Sequence, residues 1–179
     1  MRDFTNKSIA VIGNAQYLFN RRYGGEIDNH DIIIRMNRAA MLYERFDSQL
    51  THGSRTDVWV MWRHREYENA NIVEPETVIQ MASWIPVDAP HVAVYDPVYL
   101  HNLKVKSKIE TPTTGLMVLD LLSHFETKNV SVYGFDWKET PTFTDTNRQS
   151  EQETLHDFNK EKIYCREYFS NGLGYLFRF

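Results

Sequence analysis

Five runs of about five residues, Ser8–Ile12, Asp31–Arg35, Asp57–Met61, His91–Tyr95 and Asn129–Tyr133, are rich in Val and Ile, and several are apolar at successive positions. A strand alternates its side chains between two faces, so apolar residues at successive positions demand cover on both. Parallel sheets sandwiched between helices supply that cover. Segments with helical spacing lie between the runs, the clearest being Thr114–Phe125 and Ser150–Phe169. The pattern predicts an α/β fold: a single Rossmann-like domain over residues 1–179, with a mostly parallel sheet and helices on both faces. Turn signals at Gly24-Gly25, Asp88-Ala89-Pro90, Asp96-Pro97 and Pro112 separate the elements. The polar stretch Lys138–Arg148 reads as a mobile surface loop. No repeat or linker divides the chain.

Composition narrows the functional classes. A hydrophobic fraction of 42% and a charged fraction of 25% are those of an ordinary globular protein. The net charge of −4 argues against a nucleic-acid partner, although a local donor cluster can still hold an anionic ligand. One cysteine, Cys165, leaves no internal disulfide and no cysteine-rich metal site. No apolar run reaches the length of a transmembrane segment, and no signal peptide is recognisable, so the expected location is cytoplasmic.

In open α/β sheets, ligands sit beyond the carboxyl ends of strands. Three junctions of that kind carry suggestive residues. At the end of the first run, Gly13 permits close backbone approach and Asn14 can donate or accept; a plain strand-end turn is the other reading. The fingerprint GxGxxG is absent, since the next glycines are Gly24 and Gly25, which disfavours a nicotinamide oxidoreductase. Thr113, Thr114 and Gly115 open a helical segment, where amide N–H groups and the helix dipole can receive an anion; an ordinary threonine N-cap is the alternative. Gly134 lies among aromatics at the end of the last run, shaping either a pocket or a packed turn. His156 precedes Glu161 by five positions. A histidine near neutral pH suits general-base work, but in a chain with seven histidines this spacing arises easily by chance. There is no Asp-x-Asp, HExxH or GxxxxGK[ST], so metal ligands and cofactors are expected to be none.

Taken in order, the junctions resemble a known family. Residues 8–39, with Ile12-Gly13-Asn14, Gly25-Glu26-Ile27-Asp28-Asn29-His30-Asp31 and Arg35-Met36-Asn37, resemble the long sialyl motif of the sialyltransferases of glycosyltransferase family 29. Pro112-Thr113-Thr114-Gly115 through Tyr133-Gly134-Phe135 is similar to the short motif, and His156 to Glu161 to the very short motif. The resemblance implies a GT-A-like variant of the α/β fold. It further implies a metal-independent, inverting transfer of a sialic acid from its CMP ester to a sugar hydroxyl. The partners would be a CMP-sugar donor and an oligosaccharide or glycan acceptor. Asn14 and Asn37 would hold the CMP portion, with Gly13 and Gly134 allowing its close approach. Thr113, Thr114 and Gly115 would receive the donor's anionic groups. His156 would be the general base, and Glu161 would support it.

The chain also departs from the pattern. Ile9 replaces the cysteine of the vertebrate long motif, and Tyr17 stands where a second asparagine is usual. The third motif is unrecognisable, because Trp137–Leu155 contains no histidine. CMP-Kdo is therefore an alternative donor, and a non-catalytic CMP-sugar binding module an alternative role.

Overall fold

The computed structural model describes residues 2–37, 40, 49–62, 75–82, 88–142 and 155–179. Among these, seven strands form one sheet: β1 (Ser8–Ile12), β2 (Ile32–Met36), β3 (Val58–Met61), β4 (Thr77–Gln80), β5 (Val92–Val94), β6 (Asn129–Tyr133) and β7 (Leu176–Arg178). The spatial order is β5-β4-β3-β2-β1-β6-β7, and every neighbouring pair is parallel. This is the α/β, Rossmann-like architecture that the apolar runs predict. The chain steps outward from β1 to β5, then returns to place β6 on the other side of β1. That reversal creates a crevice at the carboxyl ends of β1 and β6.

The period of two explains how the strands bury both faces. Ile9, Val11, Ile32, Ile34, Val58, Val60, Val130 and Val132 face a large core containing Leu103, Leu116, Met117 and Leu119. Those four come from α3 (Pro97–Ser107) and α4 (Thr114–Leu122). On the opposite face Ala10, Ile12, Ile33 and Tyr133 pack with Leu18, in a 3-10 turn over Gln16–Asn20, and Ile27, in α1 (Gly24–Asp28). Farther along that face Trp59, Met61 and Val78 pack with Ala40. Full burial stabilises each Val, Ile or Leu side chain by roughly 1.5–3 kcal/mol, which is why the alternation dominates the fold. Two shorter helices complete the described elements, α2 (Gln49–His52) and α5 (Phe158–Tyr164), and α5 widens into a π-helical turn over Cys165–Gly172. Among the described residues no helix is long and apolar enough to cross a membrane.

Much of the long motif braces this sheet. The Asp31 carboxylate accepts from the Ser8 N–H at 2.8 Å and from its hydroxyl at 2.7 Å, tying the entry of β2 to that of β1. Asp28 likewise accepts from the N–H and hydroxyl of Ser54. Buried Arg35 donates to the carbonyls of Arg55 and His52, fastening β2 to the segment before β3.

Several boundaries differ from expectation. Asp96-Pro97 is not a simple turn. Asp96 caps α3 by accepting from the Val98 N–H at 2.8 Å, and Pro97 takes the first helical position, where its missing N–H has no consequence. α4 ends at Leu122, and α5 begins only at Phe158, where Asp157 accepts from the Lys160 N–H. The expected helical stretch 150–154 lies outside the described residues. So does 143–148 of the expected mobile loop; the preceding part is anchored, with Thr142 bridging Ala15 and the Pro141 carbonyl accepting from the Gln16 N–H.

Candidate functional site

All nine sequence-expected site residues line one cleft in the crevice between β1 and β6. Gly13, Asn14, Asn37, Thr113, Thr114, Gly115, Gly134, His156 and Glu161 come from segments far apart in sequence, and together they border a cavity of about 180 Å³. The carboxyl ends of β1, β2 and β6 supply its floor, the start of α4 one wall, and the segment leading into α5 another.

The glycines at the strand ends are required by one another. A methyl group on Gly13 would overlap the carbonyl oxygen of Gly134. Gly134 itself has φ of 72°, and a methyl group there would stand 2.6 Å from the Leu18 side chain. Tight approach of β1 to β6 is thus one sufficient reason for both. Tyr17 completes the junction. Its hydroxyl accepts from the Gly134 N–H at 2.9 Å and donates to the Arg178 carbonyl at 2.7 Å. Burial pushes this phenol up to about 12, so it stays protonated as a strut between the exits of β6 and β7. Here the departure from asparagine has a structural reason.

Asn37 also acts as a bracket. It holds φ of 48°, its Oδ1 accepts from the Trp62 N–H at 3.1 Å, and its Nδ2 donates to Thr114 Oγ1 at 3.3 Å. Its side chain therefore couples the exit of β3 to the first residue of α4. Thr113 is the N-cap of α4, its Oγ1 accepting from the Leu116 N–H at 3.2 Å. The Thr114 and Gly115 amides precede Met117, whose N–H makes the first bond back to the Thr113 carbonyl. By helix geometry such amides lack an intrahelical acceptor, and they carry the positive end of the dipole into the cleft.

Glu161 grips that cap from below. Its carboxylate accepts from the Thr113 N–H and from the Thr113 hydroxyl, both at 2.7 Å. The residue is 3% exposed, and burial raises its carboxyl to about 7, the two hydrogen bonds opposing the rise. It supports the wall of the cleft across the interval of five positions that separates it from His156.

His156 is positioned by Thr111. The imidazole Nδ1–H donates to the Thr111 carbonyl at 2.7 Å, while the Thr111 hydroxyl donates to the carbonyl of Leu155. A carbonyl can only accept, so the neutral ring carries its proton on Nδ1 and its lone pair on Nε2. That is the tautomer a general base needs. Thr111 escaped the sequence reading because it sits one residue before the short motif and 45 positions from the histidine it holds. A second groove adjoins the cleft at His156 and is bordered by Trp137, Lys138 and Phe158.

A family profile described as glycosyltransferase family 29 (sialyltransferase) matches residues 3–72. The chain is 29% identical over 150 residues to the CMP-N-acetylneuraminate-beta-galactosamide-alpha-2,3-sialyltransferase 2 of Mus musculus, a match covering 70% of this chain and 42% of that protein. The chain thus spans less than half the length of that relative. Over 51 residues it is 45% identical to a beta-1,6-galactosyltransferase of Arabidopsis thaliana, covering 28% of this chain and 12% of the other. In structure it is similar to a mammalian sialyltransferase solved with Gal-beta-1-3GalNAc-ortho-nitrophenol, with TM-score 0.73 and 17% identity over 97% of this chain and 69% of that one. It is also similar to the Campylobacter jejuni sialyltransferase CstII, solved with a substrate analogue, cytidine-5'-monophosphate. There the TM-score is 0.60 and the identity 13%, over 93% of this chain and 78% of the other. At these identities the structural likeness speaks for the fold.

Proposed function

We propose, for a chain related to the sialyltransferases of glycosyltransferase family 29, that it transfers a sialic acid from its CMP ester to a hydroxyl of a glycan acceptor, with inversion and without a metal ion. The observation that carries this reading is the convergence of the three motif segments on one cleft, where His156 holds its lone pair on Nε2 beside an anion-receptive helix start. In the reaction, the acceptor oxygen attacks the anomeric carbon of the donor. Its proton passes to His156 Nε2, and the bond from the anomeric carbon to the phosphate oxygen breaks, its electron pair leaving with CMP. The amides of Thr114 and Gly115 meet the donor's negative charge, and Asn14 orients the nucleotide from the end of β1. Asn37 and Glu161 keep the start of α4 in place. The adjoining groove offers an acceptor room beside His156.

A donor screen tests the proposal. CMP-Neu5Ac, CMP-Kdo and a uridine diphosphate sugar are incubated in turn with the protein and a galactose-terminated glycan, and released nucleotide is read by mass spectrometry. The expected result is CMP release from CMP-Neu5Ac together with a glycan one sialic acid heavier. Exclusive turnover of the uridine donor would overturn the nucleotide assignment.

A further inference from the structure

Glu161 lines the cleft without a counter-charge. Its carboxylate is fixed by two hydrogen bonds, both from Thr113 and both at 2.7 Å, on a residue that is buried. Among the described residues no lysine, arginine or histidine forms an ion pair with it. A buried carboxylate is ordinarily paired with a cation, because isolated charge is costly away from water. The groups around Glu161 leave that charge uncancelled. On its own helix Asp157 is a second carboxylate, engaged with Lys160 at 3.2 Å, and Lys162 pairs with Glu139. Cys165, one turn on, keeps its proton, since burial and the Glu161 charge both push the thiol up. His156, Asp136 and Lys138 border the same cleft, and the Asp136 carboxylate is taken by the Lys138 and Thr140 amides. Burial outweighs the two Thr113 hydrogen bonds and pushes the Glu161 carboxyl up to about 7.

We infer that Glu161 takes up a proton when the start of α4 receives the nucleotide's phosphate, so that its protonation sets the affinity of the cleft for anionic ligands. The inference rests on the reading of this cleft as a CMP-sugar site. Thr113, which Glu161 grips, is the N-cap of α4 and directly precedes Thr114 and Gly115 in the cleft wall. A phosphate at that helix start and the Glu161 carboxylate are therefore two anions drawn to one short segment, in surroundings where like charges repel more strongly than in water. By linkage, a ligand that repels the carboxylate binds the protonated form more tightly, and its binding raises the carboxyl further. The proton comes from solvent and settles on Oε2, which then donates to the Thr113 hydroxyl, while Oε1 still accepts from the Thr113 N–H. Affinity for the phosphate accordingly declines as pH rises through 7. Glu161 acts here as a positioning residue, through Thr113. The alternative is a carboxylate that props the cap of α4 and is indifferent to what the cleft holds.

Cytidine lacks the phosphate, so the ratio of CMP to cytidine affinity isolates the anionic contact. Calorimetry on the full chain measures both ligands from about pH 7 to about pH 9, above the second ionisation of a phosphate monoester at roughly 6. In the wild type the ratio is expected to fall by about 5- to 10-fold over that range, with proton uptake on CMP binding revealed by buffers of different ionisation enthalpy. Glu161→Gln should remove most of the fall. His156→Gln, which deletes the other titratable ring of the cleft, should keep it. Should Glu161→Gln lose cytidine binding through misfolding, infrared difference spectra of wild type labelled with ¹³C-glutamate supply the test. CMP, and not cytidine, should then convert a carboxylate band into a protonated-carboxyl band. A wild-type ratio constant within twofold, a fall that Glu161→Gln shares, a fall that His156→Gln abolishes, or no such band would each overturn the role of Glu161 and leave the nucleotide site standing. A wild type that binds neither ligand would overturn the reading of the cleft itself, and this inference with it.

Discussion

His156 and Glu161 share a short segment, yet their surroundings assign them different work. The imidazole is half-exposed at the cleft with its Nδ1–H committed to a carbonyl, while the carboxylate is buried beneath the cap of α4. For a general base, His156→Ala should lower kcat by about 10²–10⁴ and leave CMP affinity near wild type. The pH–rate profile should also lose its acidic limb, since a protonated ring cannot take the acceptor's proton. A residual activity that merely tracks the folded fraction would assign the histidine a structural role instead. Glu161 makes an opposite kind of prediction, about stability. Its folded carboxyl titrates near 7, above the ordinary value of 4.5, because burial disfavours the charged form. The native state therefore holds a proton that the unfolded chain has already released, and stability falls as pH rises from about 4.5 through 7. The loss is on the order of 3 kcal/mol. Glu161→Gln keeps an acceptor for the Thr113 N–H without the charge, so denaturant melts of that variant should lack this decline. A variant that keeps the full decline would show that another group is responsible.

At the level of elements, the site is made where strand ends are forced together. β1 and β6 approach so closely that Gly13 and Gly134 leave no room for a side chain, and Phe135 closes over Gly115 at the start of α4. Gly134→Ala is expected to destabilise the fold by about 1–3 kcal/mol, from its left-handed φ and from collision with Leu18. Gly25, inside α1, provides the contrast, since nothing lies within 4 Å of where its Cβ would stand. Gly25→Ala should be neutral or more stable by roughly 0.5–1 kcal/mol. Thermal melts of the two variants check the pair, and equal destabilisation would refute the packing argument. The elements missed in sequence were short or disguised. β4 and β7 are four and three residues long, too short for a period to emerge. In α3 one residue alone, Leu103, is buried, so the helix has little apolar stripe to betray it.

For the molecule as a whole, the open parallel sheet decides where chemistry can occur. Its order places β6 beside β1, and the crevice between them collects segments separated by more than a hundred residues. The start of α4 presents its amides to that crevice. Among the described residues no group of three His, Cys, Asp or Glu side chains could hold a metal ion. The mechanism proposed above uses no metal ion, so transfer activity should stay within about twofold after exhaustive treatment with EDTA. A tenfold loss restored by Mg²⁺ or Mn²⁺ would replace the proposed mechanism with a metal-assisted one.

The sequence by itself determined the class of fold and the membership of the cleft. Apolar residues on both faces of Ile32–Met36 and Val58–Met61 suit a sheet covered twice, because burial energy depends on local side-chain chemistry that can be read residue by residue. The ordered motifs pointed to nine residues that line the cleft, eight of them at a strand exit or a helix entry and Glu161 within α5. Individual roles were decided only by the tertiary structure. Asn37 as a bracket to Thr114, Tyr17 as a strut and Thr111 as the holder of His156 all depend on partners distant in the chain. A hydrogen bond acts over about 3 Å, and which groups come within that reach is fixed by the packing of the sheet and its helices rather than by neighbours in sequence.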